Sequence, residues 1–301
     1  MARKTQKAIT GAQATEGMEF HAAPPRSGME AEKAVQSMVP VDGHVHFHAL
    51  ERVVATLDAA AANFRVHGQR DSGLLGILLL TQSSRERVFE ALREQRSCGP
   101  WTLRTSSGED ESLRAEHRER RIVVVCGRQI RCERGLEVTA LGTTEVFPDG
   151  LSLEETICEV QARGALVSLP WGFGKWLGAR GQLVRDSLRR HPPGSLAICD
   201  NGGRLAASGQ PSLVRECGAL GYPILPGTDP FPFGSDYLRA GSFGFLAAEP
   251  DQSTPWRGLA EWLQSLGGSP PAYGRALGPL KFLVNNVGIQ VYNRTRPAQN
   301  P

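Results

Sequence analysis

Four residues within one ten-residue segment carry the strongest chemical signal in this chain: Asp42, His44, His46 and His48, spaced two apart. In an extended strand that spacing places all four side chains on one face, so three imidazoles and a carboxylate converge on a small volume. Nitrogen and oxygen donors of this kind suit zinc, manganese or iron, and such an ion can generate a hydroxide nucleophile near neutral pH. The intervening Val45 and Phe47 are apolar, which gives the segment a buried face beside its histidine face. His44 and His46 are the expected metal pair. His48, nearest the strand end, is also explained by solvent or a backbone partner.

The elements that must position these groups follow from periodicity. Apolar residues at helical spacing predict helices over residues 51–66, 84–96, 177–190 and 255–266, with Ser152 capping another through Val160 and Pro211 opening one more. Short apolar runs predict strands at 73–81, 101–105, 122–126, 136–141, 165–169, 195–199, 222–225 and 243–247. Leu280, Leu283, Val284, Val287 and Val291 form one stripe of a last helix that begins at Pro279. Strand and helix alternating at this rate imply a parallel sheet or a β/α barrel. In a barrel the chemistry sits at the carboxyl ends of the strands, and there the chain places polar, Gly-rich loops. Lys175 lies in one, Asp200 and Arg204 in the next, Asp229 in the third, and Arg239 a little beyond. Asp229 is placed to complete a metal site or serve as a general base, against the simpler role of an Asx turn before Pro230. Lys175, Asp200, Arg204 and Arg239 are candidates to bind an anionic substrate.

Bulk properties exclude several classes. The 301 residues suffice for a large core without a disulfide scaffold. Thirty-four Lys and Arg against 31 Asp and Glu leave a net charge of only +3, which argues against nucleic acid as the main partner. The six cysteines form no C-x-x-C pair and read as buried thiols of a reducing, cytoplasmic compartment. No run of 18 apolar residues indicates a membrane span. Residues 1–36 read as a flexible leader, polar and without periodicity, and 37–301 as one domain.

The order of these pieces resembles the polymerase and histidinol phosphatase (PHP) family of metal-dependent hydrolases, over residues 38–247. The likeness rests on Asp42-Gly43-His44-Val45-His46 as the opening H-x-H, on Gly127-Arg128-Gln129 followed by Leu136-Glu137-Val138 as the middle strands, and on Gly227-Thr228-Asp229 as the closing motif. It implies a distorted TIM-like β/α barrel and divalent transition-metal ions (Zn, Mn or Fe) that activate water for phosphoester hydrolysis. Three positions depart from the family pattern: Gln129 stands for a bridging Glu, Leu169 for a His before Pro, and Phe231 for the closing His. No histidine follows His191. Only His44, His46 and Asp229 carry over as metal ligands, so the resemblance implies a single-ion centre, with Asp42, Glu137 and Asp229 as catalytic candidates and a small anionic substrate. The alternative is a barrel that has lost hydrolysis and acts as a ligand-binding or scaffold protein.

Overall fold

Apolar runs too short for helices, residues 77–80 and 122–125, lie side by side as parallel strands buried on both faces. Around them a computed structural model describes residues 37–68 and 73–295. In chain order the elements are β1 (Met38–Val45), α1 (Leu50–His67), β2 (Gly76–Leu80), β3 (Gln82–Ser83), α2 (Val88–Gln95), β4 (Ser97–Cys98), β5 (Trp101–Thr105), β6 (Ser112–His117), β7 (Arg120–Val125), β8 (Gly127–Arg131) and β9 (Glu137–Leu141). They continue with α3 (Leu153–Ala162), β10 (Leu166–Pro170), α4 (Ala179–Arg190), β11 (Ala197–Asn201), α5 (Ser212–Ala219), β12 (Ile224–Gly227), β13 (Phe243–Ala248), α6 (Pro255–Ser265), β14 (Ala272–Gly274) and α7 (Pro279–Thr295). The expected leader, 1–36, lies outside the described residues. Among the described residues no helix is long and apolar enough to cross a membrane.

The strands form two mixed sheets, ordered β14-β13-β1-β2-β7-β6-β5-β4 and β12-β11-β10-β9-β8-β3. Single residues, Thr81 and Cys126, separate β2 from β3 and β7 from β8, so the chain passes from one sheet to the other twice at neighbouring points. Both sheets contribute to one interior: Val39 and Val41 from β1, Ile77 and Leu79 from β2, Ala197 from β11 and Leu225 from β12 meet there. The indole of Trp256, with Leu259 and Leu263 of α6, fills the interior near the amino ends of the parallel strands. Outside, α1 and α2 cover one flank and α3, α4 and α5 the other.

This arrangement departs from an all-parallel sheet. β1, β2 and β7 run parallel, as do β10, β11 and β12, but β9 is antiparallel to both its neighbours and β5 to β7 form an antiparallel meander. Among the described residues no ladder joins β12 to β1, and the two sheets do not close into a barrel. The ends meet instead through close backbone approach. A Cβ on Gly227 would stand 2.3 Å from His44 N, and one on Gly43 would stand 2.6 Å from the Pro226 carbonyl oxygen. Only glycine permits that contact.

Two further expectations change. The stripe of α7 faces solvent rather than a core: Leu280 is 78% exposed, and Leu283, Val284, Val287 and Val291 are also exposed. The helix is held by its other face, where Asn285 donates to Asp236 and Gly288 packs on Phe233. Of the six thiols, Cys126, Cys132, Cys199 and Cys217 are buried, whereas Cys158 is exposed. The Ser152 cap is observed in full, with Ser152 Oγ accepting from Glu155 N and Glu155 reaching back to Ser152 N.

The close approach of β12 to β1 makes a simple prediction. Gly227→Ala forces its new methyl into the His44 backbone, and overpacking of this kind costs about 1–3 kcal/mol. Urea unfolding should show that loss; an unchanged midpoint would mean that the β1–β12 junction is looser than described.

Candidate metal centre

The segment 42–48 does not keep one face throughout. The pairing of β1 with β2 shifts register between Asp42 and Val45, and this irregularity reverses the alternation of side chains. Before it, Val39 and Val41 point into the interior; after it, Val45 points out against α1 and α2, and His44 and His46 point in. Asp42 is therefore not part of the histidine face, contrary to the sequence expectation. Its carboxylate accepts from Thr228 N (2.8 Å), Thr228 Oγ1 (2.6 Å), Gly241 N (2.8 Å) and His44 N (3.3 Å). Burial pushes this carboxyl up to about 6, and the four donors hold it from rising further. With both oxygens engaged, Asp42 is a tie between segments and has no lone pair left for a base.

His44 Nε2, His46 Nε2 and Asp229 Oδ1 do converge. The two nitrogens are 3.2 Å apart, and the carboxylate oxygen lies 3.7 Å from His44 and 3.3 Å from His46. A cation bonded at about 2.0–2.2 Å to three such atoms spaces them by roughly 3.0–3.6 Å, which these distances match. Electrostatics agree. Burial pushes His44 down to about 4 against the pull of Asp229, so it is neutral near pH 7. Burial also opposes charge on His46, but the hydrogen bond and charge of Asp229, with Glu86 and Glu137 nearby, raise it overall. Despite its own burial, Asp229 is held far below the usual carboxylate range by His44, His46 and Lys175. Three electron-pair donors thus aim at one point. A single proton on His46 bridges them only in part, whereas a cation satisfies all three. Each imidazole keeps its Nδ1 buried without a protein partner, and these are the atoms left to carry the protons when Nε2 is a ligand.

Asp229 is positioned by its own backbone and by a neighbour that periodicity did not single out. Its φ of 44° is in the left-handed region, a strained conformation for a residue before proline. Its N–H donates to the His44 carbonyl at 2.8 Å. Asn201 Oδ1 accepts from Gly203 N at 2.7 Å, so the amide presents Nδ2 to Asp229 Oδ2 and leaves Asp229 Oδ1 turned towards the histidines. Asn201 takes the place expected for Asp200. Side chains alternate along β11, so only one of the two can face inward; Asp200 instead binds Arg204 on the outer side, at 2.7 and 2.9 Å, beside a cleft lined by Ile224 and Pro226. Arg204 is therefore not at the centre. Nor is Arg239, whose guanidinium contacts Asp236 and the Gly202 carbonyl. Glu137 and Lys175 are at the centre: they form an ion pair, and both act electrostatically on the tripod.

The three family positions that differ also find physical explanations. Gln129 lies near enough to His44 to favour its charged form, so a neutral amide stands beside the tripod. Leu169 faces the α3 and α4 flank and could supply no inward ligand. The Phe231 ring stacks on Phe233. His48, also in the left-handed region at φ 53°, is fixed between Glu86 (3.5 Å) and the Pro230 carbonyl (2.8 Å). A carbonyl only accepts, so His48 Nε2 carries a proton and is no metal ligand.

No protein-family model and no curated protein sequence matches this chain. Among solved structures it is similar to PsfC from Pseudomonas syringae PB-5123, with a TM-score of 0.51, 13% identity, and coverage of 86% of this chain and 99% of that one. It is also similar to the lesion-specific endonuclease PfuEndoQ from Pyrococcus furiosus, with a TM-score of 0.47, 12% identity and coverage of 78% of this chain. The chain spans 57% of that endonuclease. At such identities the likeness to PsfC is one of fold.

Glu86 gives the pH prediction for this region. Burial would raise its carboxyl, but His48, His46 and Ser83 N lower it to about 2, below the ordinary 4.5. A depressed carboxylate stabilises the fold above its unfolded pKa and loses that contribution as pH falls through the folded one. Glu86→Gln should lower stability by ~1–3 kcal/mol at neutral pH. The difference from wild type should shrink as pH drops from 4.5 towards 2, as read by urea unfolding at several pH values. A pH-independent difference would contradict the assignment.

Proposed function

We propose that the protein is a metal-dependent hydrolase with a reduced, single-ion centre held by His44, His46 and Asp229, acting on a small phosphoester. The observation that carries this reading is the convergence of His44 Nε2, His46 Nε2 and Asp229 Oδ1 at 3.2–3.7 Å with no cationic group between them. The order of motifs that resembles the PHP family supports it. A bound zinc, manganese or iron ion would supply a Lewis acid and a water of lowered pKa.

The chain's own residues account for the rest. His44 presents a neutral nitrogen and His46 one that would give up its proton to a bound cation, both from a strand whose irregularity aims them inward. Asn201 orients Asp229. Lys175, with its side chain 38% exposed at the mouth, offers the cation for a phosphate oxygen, and its partner Glu137 becomes free to accept a proton when the lysine turns to substrate. Asp42 holds the frame and takes no part in proton transfer. Gln129 favours the second reading, a ligand-binding barrel without turnover, because an amide binds cations less strongly than a carboxylate.

Purified protein should hold about one equivalent of a transition metal, and His46→Ala should lose it, because water does not replace an imidazole without a large loss of affinity. A panel of phosphomonoesters and phosphodiesters with manganese or zinc should show turnover that His44→Ala and Asp229→Asn abolish. Lys175→Ala should weaken substrate binding while metal content stays unchanged. Metal bound without turnover, or protein that takes up no metal and shows no turnover, contradicts the hydrolase and supports the ligand-binding barrel.

A further inference from the structure

On the flank opposite α1, two helices bring another set of donors together. Glu154 and Cys158, four residues apart, share one face of α3, and His191 stands at the carboxyl end of α4. One donor atom from each of the three lies within 4.8 Å of the other two. His191 Nε2 is 2.9 Å from Glu154 Oε1. The second carboxylate oxygen, Oε2, accepts from Ser187 Oγ at 3.1 Å and from Arg190 at 3.4 Å, which fixes the carboxylate with Oε1 turned to the imidazole. The Arg190 side chain is 62% exposed, so its charge is well screened there.

The sulfur distinguishes this place from an ordinary helix-to-helix ion pair. Burial pushes the thiols of Cys132 and Cys217 up to about 11 and that of Cys126 to about 12, leaving them unsuited to bind metal at neutral pH. Cys158 is exposed and adjoins a histidine and a carboxylate. Sulfur, nitrogen and oxygen donors in a set of three, with a side open to water, form the donor set of a zinc-class ion. Its exposed side chain leaves Cys158 free to rotate and close the remaining distance.

We propose that Glu154, Cys158 and His191 form a second transition-metal site on the outer surface, where a bound ion staples α3 to α4. The site is separate from the interior tripod. Binding joins thiolate sulfur, imidazole Nε2 and carboxylate Oε1 to the ion; the thiol proton passes to water, and the proton that Nε2 shares with Glu154 moves through water to Nδ1.

Cobalt titration of the full chain carrying His46→Ala tests the idea without contribution from the interior. The expected result is a near-ultraviolet thiolate-to-cobalt band that saturates at one equivalent, is displaced by zinc, and vanishes in the added presence of Cys158→Ser. His191→Gln should weaken the same binding by at least roughly tenfold. Both variants should melt like their parent without metal, since Cys158 is exposed and glutamine retains a polar partner for Glu154. No band, a band that survives Cys158→Ser, or unchanged affinity in His191→Gln would overturn the proposal. Because the readout is thiolate bonding, it is unaffected by whether the interior centre turns over a phosphoester.

Discussion

The buried carboxylate of Asp42 holds together the three chain segments around which the interior centre is built. It accepts from the backbone of β1 at His44, from the end of β12 at Thr228, and from Gly241 just before β13. No ladder joins β12 to β1, so this one side chain does much of what paired strands do elsewhere in the molecule. Four donors compensate its burial. The separation of His44 from Asp229, and with it the shape of the tripod, follows from where Asp42 fastens Thr228.

The irregularity in β1 is the second determinant. A regular strand would send Val45 inward with Val41 and turn both imidazoles out against α1. By reversing the alternation after Asp42, the chain keeps an apolar interior at one end of the strand and a polar one at the other. The lower part, filled by Trp256 and its neighbours, supports the fold, and the upper part is left for chemistry. Strain at His48 and Asp229, both with positive φ, lies at the rim of that polar half, where backbone distortion commonly serves function.

Much of this was legible in the residues themselves. Alternation and capping signals located most helices and the parallel strands, and the histidine pair with Asp229 stood out by type and position. What periodicity could not convey was the break in periodicity: nothing in Asp42-Gly43-His44 distinguishes a regular strand from one that slips by a residue, except the glycine. The same limitation applies to Asp200 and Asn201, adjacent residues of which only one can face inward; local alternation from Ile198, which packs on the outer helices, identifies it as Asn201 once the inner side is known. Arg204 and Arg239 looked available although carboxylates stand four and three residues before them, because whether such neighbours pair depends on the course of the loop, which is settled only in three dimensions. The antiparallel course of β9 was hidden because a strand's direction leaves no trace in its composition. The outward face of α7 was hidden too, since an apolar stripe marks a surface to be covered without saying by what.

Two sheets laced along one seam by side chains differ from sheets joined by a ladder in what they permit over evolutionary time. Strands in a ladder are fixed at a common spacing, and their register changes only in whole residues. Between β1 and β12 the spacing is set by the bulk of Gly43, Gly227 and Thr228 and by the reach of one carboxylate, quantities that vary in small steps. The opening above the tripod can therefore be widened or narrowed by single substitutions along that seam while every ladder keeps its register. The seam is the adjustable dimension of an otherwise rigid frame, and related chains of different specificity would be expected to diverge there first.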